Sequence, residues 1–115
     1  MRRIRQAPNG SDGVIATGRL TVNLSTKVVK VDGTRVQLTG KEYQVLKLMA
    51  ERKGDTLTKD AFMSLLYGDM EPPNRKIIDV FICKLRRKLA AAGNGDGFID
   101  TIWGRGYALR DKPHP

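Results

Sequence analysis

Residues 75–92 constrain this chain more than any other stretch. At roughly 100° per residue, Ile78, Ile82, Leu85 and Leu89 fall within about 60° of one another, with Phe81 at the stripe's edge. Lys76, Val80, Cys83 and Arg87 lie on the opposite side. Lys84 and Ile77 flank that outer face on one edge, Arg86 and Asp79 on the other. A helix divided in this way must be held to a core by one face while showing a mainly cationic strip on the other. The strip is not purely charged, because Val80 sits between Lys76 and Lys84 with Ile77 close by. A DNA major groove offers thymine methyls to such apolar groups, and phosphates or guanine edges to the cations. The competing readings are a solvated charged face, or a loop packed over Val80 and Ile77.

The distribution of charge supports the first reading. The chain of 115 residues carries 21 Lys and Arg against 12 Asp and Glu, a net charge of +9. Residues 74–115 hold nine of the basic groups and only four of the acidic ones, so the excess is concentrated around the divided helix. Such an excess points to a polyanion, with nucleic acid ahead of a membrane surface. No apolar run approaches the ~20 residues of a membrane span, and no signal peptide is visible. The single cysteine, Cys83, excludes an internal disulfide, fits a reducing cytoplasm, and reads as a small filler rather than a reactive thiol. With one histidine, His114, there is no zinc site or catalytic triad to assemble. Paired carboxylates, a phosphate-binding glycine loop and an activated nucleophile are also missing from the pattern. No enzyme activity and no cofactor are expected.

The remaining segments organise around that helix. Residues 1–17 read as a flexible basic linker, rich in Arg, Gly, Pro and Asn over its first thirteen positions. Residues 18–110 read as the folded domain and 111–115 as a disordered tail. Segments 19–24, 27–31 and 34–38 alternate apolar and polar residues, and Asp32-Gly33 is a hairpin turn between the last two. They predict a small antiparallel sheet with one buried face. Thr39-Gly40-Lys41-Glu42 then has the form of a capping box, and Tyr43, Leu46 and Ala50, flanked by Val45 and Met49, continue at helical spacing as far as Gly54. A second helix starts at Thr58, with Phe62, Leu65 and Leu66 as its stripe, and ends at Tyr67-Gly68. Glu71-Pro72-Pro73-Asn74 is a stiff, non-helical loop. The third helix follows, closed by Gly93-Asn94-Gly95, and then two strands, 98–103 and 105–109, around Gly104.

A helix–turn–helix followed by a hairpin is the outline of a winged helix. The hairpin would be the wing, with Arg105 near its tip between Gly104 and Gly106. An ordinary hairpin with a solvated arginine is the competing reading.

The run Lys76-Ile77-Ile78-Asp79-Val80-Phe81-Ile82-Cys83-Lys84-Leu85-Arg86-Arg87-Lys88-Leu89, followed by Thr101-Ile102-Trp103-Gly104-Arg105-Gly106-Tyr107, resembles the effector domain of OmpR/PhoB-family response regulators, and Leu38 to Tyr43 fits the same family. The resemblance covers about residues 18–110. It implies an α+β winged helix-turn-helix, with an N-terminal four-stranded antiparallel sheet, three helices and a C-terminal β-hairpin wing. It also implies tandem pairs on repeated half-sites of double-stranded DNA, with the third helix in the major groove and the wing near the minor groove. By position, Lys76, Val80 and Lys84 would face bases, with Ile77 beside thymine methyls in a TTAA-type half-site. Arg86, Thr101, Tyr107 and Tyr67 would meet phosphates, with Arg87 on the same strip. Many relatives carry arginine where this chain has Trp103, which leaves Arg105 as the minor-groove candidate. The loop from Gly68 to Asn74 corresponds to the family's RNA polymerase segment, so Asp69 and Glu71 would meet a basic surface of the sigma subunit. No residues here can form a receiver domain, and the chain is expected to be part of a longer cytoplasmic regulator.

Two other classes compete. A basic RNA-binding domain would hold structured RNA at least as tightly as an A·T-rich duplex. A protein-interaction winged helix would bind polyanions weakly and be insensitive to Lys76 and Lys84.

Overall fold

A computed structural model describes residues 13–93 and 98–110. The expected tail, the first twelve residues of the expected linker and the Asn94-Gly95 part of the helix stop lie outside the described residues. The order of elements is β1 (Val14–Thr17), β2 (Leu20–Asn23), β3 (Val28–Val31), β4 (Thr34–Val36), α1 (Gly40–Glu51), β5 (Leu57–Thr58), α2 (Lys59–Tyr67), α3 (Ile77–Ala92), β6 (Ile99–Ile102) and β7 (Gly106–Leu109).

Strands β1 to β4 form an antiparallel meander. Alternation puts Leu20, Val22, Val29, Val31 and Val36 on one face, and the register stacks Leu20 on Val31 and Val22 on Val29. Asp32 and Gly33 both take positive φ, 54° and 80°, as the two central residues of a tight hairpin turn require. The apolar face is covered by the helices. At the end of α3, a Cβ on Gly93 would come within 2.5 Å of Val31 Cγ1, so glycine is what lets the helix end reach the sheet.

One expectation is corrected here. The linker does not extend to residue 17: Val14–Thr17 is a strand paired with β2. It is pinned by Thr17 Oγ1 donating to the Arg110 carbonyl at 2.7 Å and by Lys53 Nζ donating to the Ala16 carbonyl at 2.8 Å. The expected C-terminal hairpin is present as β6 and β7, and β5 pairs with β7 to extend it to a three-stranded sheet in the order β5-β7-β6.

Helix α1 starts as its capping box predicts. Thr39 Oγ1 accepts from the Glu42 amide, and a Glu42 carboxylate oxygen accepts from the Thr39 amide at 3.0 Å. Tyr43, Val45, Leu46, Met49 and Ala50 are buried. Helix α2 is capped by Thr58, whose hydroxyl accepts from the Ala61 amide at 3.0 Å. Phe62 and Leu66 enter the core, but Leu65, expected in the stripe, is half exposed. In so short a helix the two buried positions, one turn apart, leave Leu65 rotated off the packed face. Ile78, Ile82, Leu85 and Leu89 of α3 are at most 1% exposed and complete the core with Phe62 and Leu109.

Candidate nucleic-acid interface

The outer face of α3 stands clear of the rest of the molecule. Lys76, Val80, Cys83, Lys84, Arg86 and Arg87 are all exposed, and Val80 keeps 43% of its surface open to solvent. No loop covers Val80, which removes the packing explanation for an apolar residue there. Ile77 is different: it is only partly exposed and packs against the core, so it does not share Val80's outward presentation. Its place in the first turn, beside buried Ile78, draws it inward.

The start of α3 carries a local conflict. Lys76 is the N-cap and makes no side-chain capping bond, whereas the positive end of a helix dipole favours anions. Asn74 does the capping work from outside, its Oδ1 accepting from the Lys76 amide at 2.9 Å and its carbonyl from the Ile77 amide at 3.0 Å. A cation at a helix N-terminus adds nothing to the helix and adds positive potential to whatever the helix faces.

The wing is fastened to α3 by a polar cluster. Arg86 Nη2 donates to Thr101 Oγ1 at 2.7 Å and to the Ile99 carbonyl at 3.1 Å, and its guanidinium lies 5.6 Å from the centre of the Tyr107 ring. The Tyr107 hydroxyl donates to Asp79 Oδ1 at 2.5 Å, while Lys59 Nζ at the start of α2 reaches Asp79 Oδ2 at 3.0 Å. The bond from Tyr107 holds the Asp79 carboxyl below its usual value against a raising effect of burial, with Lys59 assisting. Burial, reinforced by Asp79, pushes the Tyr107 hydroxyl up to about 12, so it stays a donor at any physiological pH. Of the expected phosphate contacts, Arg86, Thr101 and Tyr107 are therefore brought together. The Tyr107 proton, however, is held by Asp79 rather than turned outward.

The wing tip closes through the Arg105 amide donating to the Ile102 carbonyl at 2.9 Å, with Gly104 at φ 77°. Arg105 is exposed there, as expected. Gly106 belongs to a strand rather than to the turn. It lies within β7, and a Cβ on it would come 2.0 Å from the Leu57 carbonyl oxygen, so its bareness admits β5 rather than bending the turn. A cleft of about 490 Å³ separates the wing tip from Lys59, Asp60 and Arg75, the last two ion-paired at 2.9 Å.

Other expected residues lie apart from this cluster. Tyr67 is half-buried under Lys41 of α1, whose ammonium is 4.5 Å from the ring centre. Asp69 and Glu71 are exposed on the loop between α2 and α3. Sequence reasoning missed Lys59, since nothing local says that the start of α2 will face Asp79 of α3. Among the described residues no His, Cys, Asp and Glu group could hold a metal ion, and no helix is long and apolar enough to cross a membrane.

This outline of sheet, three helices and buttressed wing matches known proteins. The family model for the C-terminal part of transcriptional regulatory proteins matches residues 33–109. The chain belongs to that family. It is the OmpR/PhoB effector family that the helix and wing motifs resemble. Among solved structures, the OmpR/PhoB homologue DrrB of Thermotoga maritima superposes with a TM-score of 0.76 at 25% identity, covering 89% of this chain and 46% of that one. The DNA-binding domain of Klebsiella pneumoniae RstA, solved in complex with the RstA box, gives 0.73 at 26% identity over 85% of this chain and 97% of that one. The cell cycle transcriptional regulator CtrA of Caulobacter vibrioides is 57% identical over 108 residues, 94% of this chain and 47% of that protein. The cell cycle response regulator CtrA of Brucella anthropi is 56% identical over the same length and coverage. The chain thus spans about half the length of these curated relatives.

Proposed function

We propose that this domain is the sequence-specific, double-stranded DNA-binding part of a CtrA-like two-component response regulator that controls cell-cycle transcription in the cytoplasm. One observation carries the reading: Lys76, Val80 and Lys84 stand exposed together on a helix whose opposite face is at most 1% exposed. The helix enters the major groove with these three side chains at base edges, Val80 meeting thymine methyls of TTAA-type half-sites. Arg87 extends the cationic strip. Arg86 and Thr101 meet a phosphate flanking the groove, held in place by the Tyr107 ring. The wing, with Arg105 at its tip, lies along the adjacent minor groove. Two copies bind in tandem on repeated half-sites, which multiplies the affinity of each domain. The exposed carboxylates Asp69 and Glu71 face a basic surface of the RNA polymerase sigma subunit.

Selection of preferred duplexes from a random pool, repeated with Val80→Ala and Lys84→Ala, tests the reading. The unaltered domain enriches A·T-rich half-sites, and each variant relaxes the preference by about 1–3 kcal/mol at the positions it reads. Equal weakening on specific and random duplexes for Lys84→Ala would remove it from base reading. Tighter binding to structured RNA would replace DNA as the ligand.

A further inference from the structure

The Tyr43 hydroxyl is the only buried side-chain polar atom among the described residues without a hydrogen-bond partner. The residue is 8% exposed, and an unpaired donor there carries a cost that phenylalanine would not. Burial, with Glu51 assisting, raises the hydroxyl above its usual value, so it remains a donor. Tyr43 lines a cleft of about 330 Å³ where α1 begins beside β3 and β4. The walls are of two kinds. Val29 and Val36, both buried, make the sheet side apolar, while Lys27, Arg35 and Lys47 bring three cations, and no lining residue is acidic. None of the three has an ion pair among the described residues. Glu42, the carboxylate in the first turn of α1, is already committed to the Thr39 amide and Lys88. Lys30 stands directly opposite Arg35 in the register of β3 and β4, where like charges work against the sheet. Gly40, the first residue of α1, also lines the cleft. Its backbone is not left-handed and a Cβ on it would meet nothing within 4 Å, so neither conformation nor packing calls for glycine. Its bareness leaves the first amide of the helix, which has no carbonyl to bond within the helix, uncovered.

We propose that this cleft binds a phosphorylated small molecule of nucleoside monophosphate size, at a site to which α3 and the wing contribute no residue. The phosphate sits among Lys27, Arg35, Lys47 and the start of α1, where the helix dipole and free amides favour an anion. The Tyr43 hydroxyl donates to the ligand, which supplies the acceptor that the protein lacks. The body of the ligand packs on Val29 and Val36, and Gln37 and Gln44, each with donor and acceptor, meet the polar edge of a base. Ligand pockets span roughly 300–1,000 Å³, so this one, at the small end, takes a single nucleotide and nothing larger. Charges that only deter pairing at the edge of β4 would need neither an apolar wall nor a buried unpaired donor.

The complete, isotope-labelled chain is titrated with AMP, adenosine and inorganic phosphate, and its backbone amide resonances are followed. AMP is expected to move the amides of Gly40, Gln44 and Lys47, and adenosine, which brings no charge, to bind at least about tenfold more weakly. Inorganic phosphate is expected to move Gly40 but to bind more weakly than AMP, since it has no apolar body to bury. Lys47→Met and Tyr43→Phe are each expected to weaken AMP binding about fivefold to tenfold while duplex DNA affinity is unchanged. Lys47→Met alters a partly exposed side chain of similar length, so its loss of binding is not a loss of fold. No movement around α1, equal affinity for adenosine and AMP, or full affinity in both variants overturns the inference. Equal affinity for inorganic phosphate and AMP overturns it in favour of a bare anion. Movement confined to Val80, Lys84 and the wing overturns it by placing the nucleotide at the DNA interface.

Discussion

Glu42 shows how much a single side chain can be asked to do. It is 2% exposed, completes the capping box of α1, and takes Lys88 Nζ of α3 at 2.6 Å on the same oxygen that serves the Thr39 amide. Burial alone would raise its carboxyl, but the bonds from Lys88 and Thr39, with the charges of Lys88 and Lys84, hold it below the usual carboxylate range. A lowered folded-state value means stability that is present above the ordinary glutamate value near ~4.3 and is lost as pH falls through the folded one. Glu42→Gln is expected to lower unfolding stability at neutral pH by about 1–3 kcal/mol and to flatten the acid side of the stability profile. Urea titrations from neutral pH downward check this, and parallel profiles for the two proteins would deny Glu42 that part. Gly106 is a residue of another kind, important for the side chain it lacks. Gly106→Ala would drive a methyl group into the Leu57 carbonyl, and it is expected to cost about 1–3 kcal/mol, as overpacking does, and to detach β5. Amide exchange at Leu57 and Thr58 would rise first.

Among the elements, α3 is divided most sharply, one face sealed in the core and the other exposed. The apolar stripe was legible from the sequence at 3.6-residue spacing, and the structure buries all four of its members. The wing's attachment was not legible. Its three links to α3, from Arg86 to Thr101 and Ile99 and from Tyr107 to Asp79, join positions 13 to 28 residues apart, and no local pattern encodes such pairs. Arg86→Ala removes two of those links together with a phosphate contact, and is expected to weaken binding to every duplex and to reduce the salt slope by about one phosphate's share, measured by binding titrations across salt concentrations. Asp79→Ala frees the Tyr107 hydroxyl and Lys59 ammonium together. It is expected to loosen the wing and to add cationic pull, so that sequence preference falls while affinity for random duplex rises. Unchanged preference in competition titrations would show that the wing's seat on α3 needs no Asp79.

At the scale of the whole molecule, the two sheets and the helical layer separate the tasks. The cationic face of α3 and the wing sit together, whereas Asp69 and Glu71 occupy the loop between α2 and α3 and take no part in the polar cluster beside the wing. Replacing both carboxylates by Ala should reduce transcription from a promoter bearing the selected site while leaving DNA affinity intact, as read by in vitro transcription beside anisotropy. Loss of both together would place the loop at the DNA instead. The N-terminal meander is tied to the end of β7, where Thr17 Oγ1 donates to the Arg110 carbonyl.

The alternation of the strands from Leu20 onward, the capped start of α1, the stripe of α3 and the positive φ demanded at Asp32-Gly33 were all determined by the sequence itself. Each is a local matter, decided by side-chain period and backbone sterics over a few residues. Strand β1 escaped because Val-Ile-Ala-Thr does not alternate apolar with polar residues, and β5 because two residues carry no period; each is a strand by virtue of the neighbour it pairs with. The same holds for Ile77 turning inward, for the bareness of Gly106 and for the committed proton of Tyr107. Those were settled by tertiary structure alone, since burial and hydrogen-bond partners at long range exist only once the chain has closed on itself.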